Sequence, residues 1–315
     1  MSTKIAFLFP GQGSQAVGMG RELVERFPVA AKTFAEADAA LGFPLSQLCF
    51  DGPEEDLRLT ENTQPAIMTV SVASARVLAE HGVEPELAAG HSLGEWSAHV
   101  IAGTLSFTDA VRAVKARGAA MQKAVPAGEG AMAAVLMLDA AQVVEVCEEA
   151  ARATCLVVQA ANLNSPTQTV ISGAASAVER AAALCKARGA QQTPMLPVSA
   201  PFHCALMQPA QEEVARVLAG LTLHDPGIAV AANVTGSLVT MAEAARDALI
   251  RQVTGAVRWV DCIQALKAAG ANLYIEIGPG KVLCGLLRRI DRELKSLNVE
   301  DAASLEKTLA ALKGV

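Results

Sequence analysis

The fold is decided by the stretch LAAGHSLGEWSAHVIAG, residues 87–103. Its first residues, Leu87 to Ala89, form a short apolar run that predicts a buried strand, and Glu95 to Gly103 favours a helix. Between them, the pentapeptide GHSLG at 90–94 fits the pattern G-x-S-x-G, whose glycines relieve crowding at a sharp strand-to-helix turn. Such a turn presents the hydroxyl of Ser92 at the edge of a sheet, which is typical of an α/β protein.

The flanking segments show the same alternation of short buried strands and helices. Ile5 to Phe9 is an apolar run ended by Pro10-Gly11, which predicts a fully buried strand. Further helices are predicted within 21–41, 64–80, 208–218 and 242–253, and further strands at 228–232 and 273–277. We therefore predict the α/β class, with a parallel sheet covered by helices on both faces.

The middle of the chain has a different order of elements. Strand, helix, strand, strand, helix and strand are predicted in turn over 130–138, 140–153, 156–161, 168–172, 176–188 and 192–198. This βαββαβ order is typical of a ferredoxin-like domain. We therefore predict a small ferredoxin-like domain over 128–198, inserted into a large α/β catalytic domain that is formed by 1–127 and 199–315.

Composition argues against several classes of function. With 52% hydrophobic and 18% charged residues, the 315-residue chain can bury a large core, so disorder is not expected. A net charge of -6 and only 3% aromatic residues disfavour nucleic acid binding.

The apolar run at Ile5 to Phe9 is too short for a signal peptide or a membrane span, so we expect no membrane association and a cytoplasmic location. Because the seven cysteines lack a C-x-x-C pair, we expect reduced thiols and no metal site.

Ser92 is the candidate nucleophile, because the helix that follows offers backbone N–H groups to a developing oxyanion. The alternative is that Ser92 only caps this helix, together with Glu95. A serine nucleophile also needs a base. Among the histidines at 81, 91, 99, 203 and 224, His203 is the best candidate, since it follows a loop just beyond the small domain. His91 adjoins the serine, but neighbouring side chains point apart in such a turn.

The glycine loop after the first strand has two interpretations. Gly11-Gln12-Gly13-Ser14-Gln15-Ala16 fits G-x-G-x-x-A, which is found in dinucleotide-binding folds. That motif requires an acidic residue at the end of a second strand, whereas Glu36 and Asp38 fall in a predicted helix. We therefore favour the second interpretation, close approach of the loop backbone to an oxyanion.

Several further segments occur in the order found in a known family. They are FPGQGSQ at 9–15, RGAAMQ at 117–122, GAMAAV at 130–135, NLNSP at 162–166, HCALM at 203–207, NV at 233–234 and EIGPGKVL at 276–283. On these segments and on GHSLGEWSA at 90–98, the sequence resembles the malonyl-CoA:acyl carrier protein transacylases of bacterial fatty acid synthesis. The resemblance runs nearly end to end and implies an α/β-hydrolase-like large domain with a ferredoxin-like insert.

The resemblance implies a ping-pong acyl transfer. Ser92 would attack the thioester of malonyl-CoA with His203 as base, and backbone N–H groups of Gln12 and Leu93 would form the oxyanion hole. His203 would be oriented by a backbone carbonyl in the segment that matches Gln252. This agrees with the absence of an obvious Asp or Glu between Ser92 and His203 in a strand-end loop.

The resemblance also implies how the acyl group is recognised. It implies that Arg117 binds the malonyl carboxylate. Without the resemblance, the sequence leaves Arg112, Lys115 and Lys123 as equally good candidates for this role. Planar bidentate donors suit a carboxylate. Met121 and Phe202 would line the acyl pocket. In related polyketide domains a Phe before the histidine accompanies a preference for malonyl over methylmalonyl groups.

By the same resemblance the partners are malonyl-CoA, as substrate rather than cofactor, and acyl carrier protein. Three alternatives stay open: a serine hydrolase or thioesterase, a transacylase serving a polyketide or malonate-decarboxylase carrier, and an inactive carrier-binding fold. Because carrier proteins are acidic, a basic cluster is a candidate docking patch. That cluster comprises Arg288, Arg289, Arg292 and Lys295.

Overall fold

Short strands and longer helices alternate in the computed structural model, which describes residues 3–198 and 200–313. The strands of these residues are β1 (Ile5–Phe9), β2 (Leu87–Gly90), β3 (Gly130–Leu136), β4 (Val158–Ser165), β5 (Gln168–Ala174), β6 (Ala229–Ala232), β7 (Ser237–Val239), β8 (Leu273–Ile277) and β9 (Lys295–Val299). The helices are α1 (Arg21–Arg26), α2 (Pro28–Leu41), α3 (Leu45–Asp51), α4 (Glu54–Arg58), α5 (Thr60–Glu80), α6 (Leu93–Ile101), α7 (Phe107–Lys123), α8 (Ala140–Thr154), α9 (Ala175–Ala187), α10 (Gln208–Ala219), α11 (Ala242–Arg251), α12 (Trp259–Ala268), α13 (Val282–Ile290) and α14 (Ala302–Leu312).

The larger sheet has the strand order β7-β6-β2-β1-β8-β9. All its neighbours are parallel except β7, which runs antiparallel to β6. The predicted parallel sheet is therefore correct for five strands, and the sheet as a whole is mixed. The exception follows from the connection, since the short turn between β6 and β7 contains Gly236 at φ 67° and leaves no room for a crossover helix.

The central strand β1 is buried on both faces, which explains its unbroken apolar sequence. Phe7 and Phe9 pack into one hydrophobic cluster, while Ala6 and Leu8 pack into a second cluster on the opposite face. Trp259 of α12 belongs to the second cluster. The expected coverage of the sheet by helices on both faces is confirmed.

A second, antiparallel sheet has the order β3-β5-β4. Helices α8 and α9 share a hydrophobic cluster with its strands. The predicted last strand over 192–198 is wrong as a continuous strand, because the segment forms only isolated bridges to β3. Pro194 and Pro197 have no N–H to donate, so the ladder is interrupted there.

Two other features refine the predictions. The helical stretch at 21–41 is two helices, divided at Phe27, with Pro28 in the first turn of the second. The seven cysteines, all within the described residues, are free thiols, as expected. Across the described ranges no helix has both the length and the apolar character needed to cross a membrane.

Candidate active site

Ser92 lies in the turn between β2 and α6, where its backbone has φ 52° and ψ -104°. Its side chain makes no helix-capping hydrogen bond, so the capping alternative is wrong. Instead, Ser92 Oγ lies 2.7 Å from His203 Nε2. A positive φ is costly for a residue with a Cβ, so a tight turn is needed to hold the hydroxyl in this position.

The glycines on either side of Ser92 permit a very close crossing of backbone segments. A Cβ on Gly94 would lie 2.0 Å from the carbonyl oxygen of Phe9 at the end of β1. A Cβ on Gly90 would lie 1.8 Å from the carbonyl carbon of Gly94. Gly11 is crowded in the same way, since its Cβ would lie 2.5 Å from the oxygen of His91. The glycine loop is therefore packed closely against the nucleophile turn, a use that was not predicted from the sequence.

His203 is oriented for accepting a proton from Ser92. Its Nδ1 lies 2.9 Å from the backbone carbonyl oxygen of Gln252. A carbonyl only accepts, so Nδ1 carries the proton and Nε2 is left as the acceptor. Burial, with the positive charge of Arg117 next in importance, lowers the pKa of His203 to about 3. The imidazole is therefore neutral at physiological pH.

The side chains of three of the other four histidines have separate hydrogen-bond partners. His91 Nε2 lies 2.8 Å from Asn164 Oδ1, and His99 Nδ1 lies 3.2 Å from the hydroxyl of Thr104. His81 contacts a carbonyl of its own helix. Of the five histidines, His203 is the one that reaches Ser92 Oγ within the described part of the chain.

Arg117 projects from α7 and is 1% exposed. Its Nη1 donates to Gln64 Oε1 at 2.8 Å, and its Nη2 donates to Gln252 Oε1 at 2.8 Å and to Ser92 Oγ at 3.1 Å. Burial lowers the pKa of Arg117 to about 10, so it still carries its charge at neutral pH. A buried cation therefore lies against the hydroxyl of the candidate nucleophile.

The other three cationic residues of α7 that were candidates for binding the acyl carboxylate do not reach Ser92. Arg112 donates to the carbonyl of Ala40, Lys115 donates to Asn62, and Lys123 is exposed. None of the three lines the cavity at Ser92.

Two backbone N–H groups beside Ser92 are available for a ligand. Those of Gln12 and Leu93 have no hydrogen-bond acceptor among residues 3–198 and 200–313. The N–H of Ser92 itself is occupied, since it donates to Asn233 Oδ1 at 2.7 Å. Gln12 and Leu93 both line the cavity, so their N–H groups can serve an oxyanion there.

The cavity at Ser92 has a volume of about 130 Å³. Met121 and Phe202 are both buried and both form part of its wall. A second cavity of about 270 Å³ lies next to it and shares Gln12 and His91 with it. Within the described residues, no cluster of three His, Cys, Asp or Glu side chains is arranged to hold a metal ion.

Three residues of this network were not predicted from the sequence. Asn233, after β6, also donates from Nδ2 to the carbonyl of Gly90 at 2.8 Å. Buried Glu95 accepts from Gln252 Nε2 at 2.7 Å, and Gln64 holds Arg117. The only signals were the position of Glu95 inside the GHSLGE motif and that of Asn233 inside a segment matching the family.

Comparison with known proteins identifies the family. A family model described as an acyl transferase domain matches residues 6–309. The malonyl CoA-acyl carrier protein transacylase of Bacillus subtilis (strain 168) is 48% identical over 311 residues, which are 99% of this chain and 98% of that protein. This chain belongs to the malonyl CoA-acyl carrier protein transacylase family. The transacylase of Escherichia coli (strain K12) is likewise 48% identical, over 98% of this chain and 99% of that protein.

Solved structures of the transacylase family have the same fold. The acyl-carrier-protein S-malonyltransferase of Burkholderia pseudomallei 1710b is 45% identical, with a TM-score of 0.94, and the match covers 98% of this chain and 100% of that one. A malonyl-transacylase solved in complex with a type II polyketide synthase acyl-carrier protein is 46% identical, with a TM-score of 0.95 and the same coverage. The resemblance found in the sequence is confirmed.

Proposed function

We propose that this enzyme transfers the malonyl group of malonyl-CoA, through a malonyl ester of Ser92, to the phosphopantetheine thiol of an acyl carrier protein. One observation carries the proposal: Ser92 Oγ lies between His203 Nε2, at 2.7 Å, and the buried guanidinium of Arg117, at 3.1 Å. The first neighbour activates a nucleophile. The second is a cation suited to a carboxylate on the acyl group. Relatives named for malonyl transfer support the assignment.

Acylation follows from this geometry. Ser92 Oγ attacks the thioester carbonyl carbon and gives its proton to His203 Nε2, while the N–H groups of Gln12 and Leu93 hold the oxyanion. Collapse of the tetrahedral intermediate breaks the carbon–sulfur bond, and His203 returns the proton to the leaving CoA thiolate. In the second half-reaction, the carrier thiol gives its proton to His203 and its sulfur attacks the ester carbonyl carbon. Collapse of this second tetrahedral intermediate breaks the bond between the acyl carbon and Ser92 Oγ, which regains the proton from His203.

Gln252 positions both the base and the buried cation. Its backbone carbonyl fixes the tautomer of His203, and its side-chain oxygen holds Arg117. The backbone carbonyl takes the place that an Asp or Glu has in a hydrolase triad. Phe202 and Met121 complete the acyl pocket, and the ring of Phe202 limits the room beside the acyl α-carbon.

The second cavity is the channel for the phosphopantetheine arm in this proposal. It adjoins the acyl cavity at Gln12 and His91, and it is lined by polar Asn162 and Asn164 together with apolar Leu286. An arm with two amide groups and aliphatic carbons matches such a mixed wall. A neighbour in the same family was solved with an acyl-carrier protein, which supports a carrier as the acceptor.

The finer architecture belongs to the same proposal. We assign 1–127 and 199–315 to an α/β-hydrolase-like catalytic domain and 128–198 to a ferredoxin-like insert. In support, the segment after α9 pairs with β3 through Leu196 N–H and the carbonyl of Met132 at 2.8 Å, the place of a fourth strand. We also propose a cytoplasmic enzyme of fatty acid synthesis that needs no cofactor besides its substrate, since its own side chains and backbone groups supply every step.

Release of CoA with and without a carrier protein tests the function. The transferase should release one equivalent of CoA from malonyl-CoA and then stop, until holo acyl carrier protein is added. Steady release without an acceptor would instead show a hydrolase. No release at all, with carrier binding intact, would show an inactive carrier-binding fold.

A further inference from the structure

Glu95 is a buried carboxylate that the mechanism above does not use. It is 0% exposed and lies in the first turn of α6, behind the nucleophile, and it lines neither of the two cavities beside Ser92. Its Oε2 accepts from the backbone N–H of Asn233 at 3.0 Å and from Gln252 Nε2 at 2.7 Å. Burial raises the pKa of Glu95 to about 7, and the hydrogen bonds from Asn233 and Gln252 offset part of the cost of burying the carboxyl group.

Both partners of Glu95 also hold the backbone of Ser92. Asn233 Oδ1 accepts the N–H of Ser92 at 2.7 Å, and Gln252 Nε2 donates to the carbonyl oxygen of Ser92 at 2.9 Å. The two backbone groups of one residue are therefore fixed from opposite sides. Ser92 needs this support because φ 52° with ψ -104° is a conformation that residues with a Cβ rarely adopt.

The Gln252 amide connects the carboxylate to the rest of the site. Arg117 can only donate hydrogen bonds and the Glu95 carboxylate accepts them, so the amide between them has its oxygen toward Arg117 and its nitrogen toward Glu95. The backbone carbonyl of the same glutamine orients His203. Glu95 is thus linked, through two residues, to the nucleophile, the base and the buried cation.

We propose that Glu95 is a positioning residue: by anchoring Asn233 and Gln252, it holds Ser92 in the strained conformation from which the hydroxyl reaches His203. The proposal rests on the proposed function, in which Ser92 is the residue that is acylated. What matters is the acceptor at Oε2. Oε1 has no hydrogen-bond partner among the described residues, so a proton or an amide nitrogen at that position leaves both anchoring bonds intact.

Single-turnover acylation by saturating malonyl-CoA, followed by intact mass, tests this role in two variants. Glu95→Ala removes the acceptor, and its acylation rate should fall about a hundredfold, the size of effect expected when a reacting group is displaced by about 1 Å. Its dissociation constant for malonyl-CoA should stay within about threefold, because Arg117 keeps its bond to Gln64. Glu95→Gln keeps the acceptor and should acylate within about tenfold of the wild type.

Asp38→Ala provides the matched control. The Asp38 carboxylate also accepts two hydrogen bonds, both from Ser46, and it lies outside both cavities. This variant should lose melting temperature but keep the wild-type acylation rate. Wild-type acylation in Glu95→Ala, a loss in Glu95→Gln as large as in Glu95→Ala, or an equal loss in Asp38→Ala would each overturn the positioning role. A wild-type protein that is never acylated would instead overturn the proposed function itself.

Discussion

At the scale of single residues, the site is a network around one hydroxyl. Ser92 Oγ contacts His203 and Arg117, which come from distant parts of the chain. Gln252 joins both of these neighbours, so the base and the cation are held by one residue. The chemistry therefore depends on how accurately the fold brings three separate segments together.

The pH dependence of acylation should reflect the environment of His203. Its pKa is lowered to about 3 by burial and by Arg117, so the neutral, proton-accepting form persists well below the ordinary value of 6.5. The acid limb of kcat/KM should therefore lie below pH 6.5, and activity should be lost only as pH falls through the lowered pKa. In Arg117→Gln the acid limb should move to higher pH, because removal of the nearby positive charge raises the pKa of His203.

The same acid limb can be measured in the second-order rate constant for inactivation by a neutral sulfonyl fluoride that modifies Ser92, so that the charge of the acyl group plays no part. An acid limb at or above pH 6.5 in the wild type would contradict the assigned environment of His203. An unchanged limb in Arg117→Gln would contradict the contribution of the guanidinium.

Phe202 should determine selectivity at the acyl α-carbon. The wild type should be acylated by malonyl-CoA far better than by methylmalonyl-CoA, because the ring occupies the wall of the cavity. Phe202→Ser should narrow that preference about tenfold or more, the usual effect of one methyl group in a pocket. Competition between the two thioesters, read by intact mass, measures it, and equal acylation of the wild type by both would show the idea to be wrong.

The sequence indicated the residues that face the substrate more readily than those behind them. Ser92 lies in a recognisable pattern, and Arg117 and Gln252 follow from the family resemblance. Glu95 and Asn233 act through buried hydrogen bonds between positions more than a hundred residues apart, as in the contact of Asn233 N–H with Glu95. Such pairings depend on the packed fold, so no local pattern reports them.

At the scale of elements, the decisive feature is the crossing of β1 and the nucleophile turn. Gly94→Ala would place a Cβ 2.0 Å from the carbonyl oxygen of Phe9, and neither backbone can move without breaking the central sheet. We expect a loss of about 3 kcal/mol or more in the free energy of unfolding, or no folded protein.

Gly285→Ala is the matched control for this prediction. Gly285 lies inside α13, where an added Cβ would meet no atom within 4 Å. It should leave stability unchanged or raise it by roughly 0.5–1 kcal/mol. Denaturant unfolding of both variants measures the difference, and a Gly94→Ala protein as stable as the wild type would refute the crossing as described.

The bounds of a strand or helix could be predicted from the sequence where a single physical rule determines them. β1 was predicted at its observed bounds because a run of five apolar residues ended by Pro-Gly has few alternatives. The segment 192–198 was wrong as a strand, because prolines remove donors although the chain still runs beside β3. The antiparallel β7 was not predicted, since the three-residue strand carries little sequence signal.

At the scale of the whole molecule, the smaller sheet is hydrogen-bonded to a loop segment next to the site. Leu163 N–H donates to the carbonyl of Val257, and Val257 N–H donates to the carbonyl of Ala161, each at 2.8 Å. This joins β4 to the segment that follows Gln252. The smaller sheet is therefore hydrogen-bonded to a residue five positions after Gln252, which orients the base.

The exposed basic cluster should receive the carrier protein despite the net charge of -6. Arg289 donates to Gln168, which lines the second cavity, so the cluster lies beside that channel. Charge reversal at Arg288 and Arg292 together should raise the carrier-protein KM about fivefold at low salt and less at high salt. Arg152→Glu, at an exposed position on α8, is the control, and an unchanged KM in the double variant would exclude docking at the cluster.

Covalent loading of Ser92 is the central claim, and intact-mass measurement after mixing with malonyl-CoA tests it most directly. The wild type should gain the mass of one malonyl group and lose it again on addition of holo acyl carrier protein. Ser92→Ala should gain nothing. A wild type that gains no mass, or a Ser92→Ala variant that still gains one malonyl group, would contradict the account.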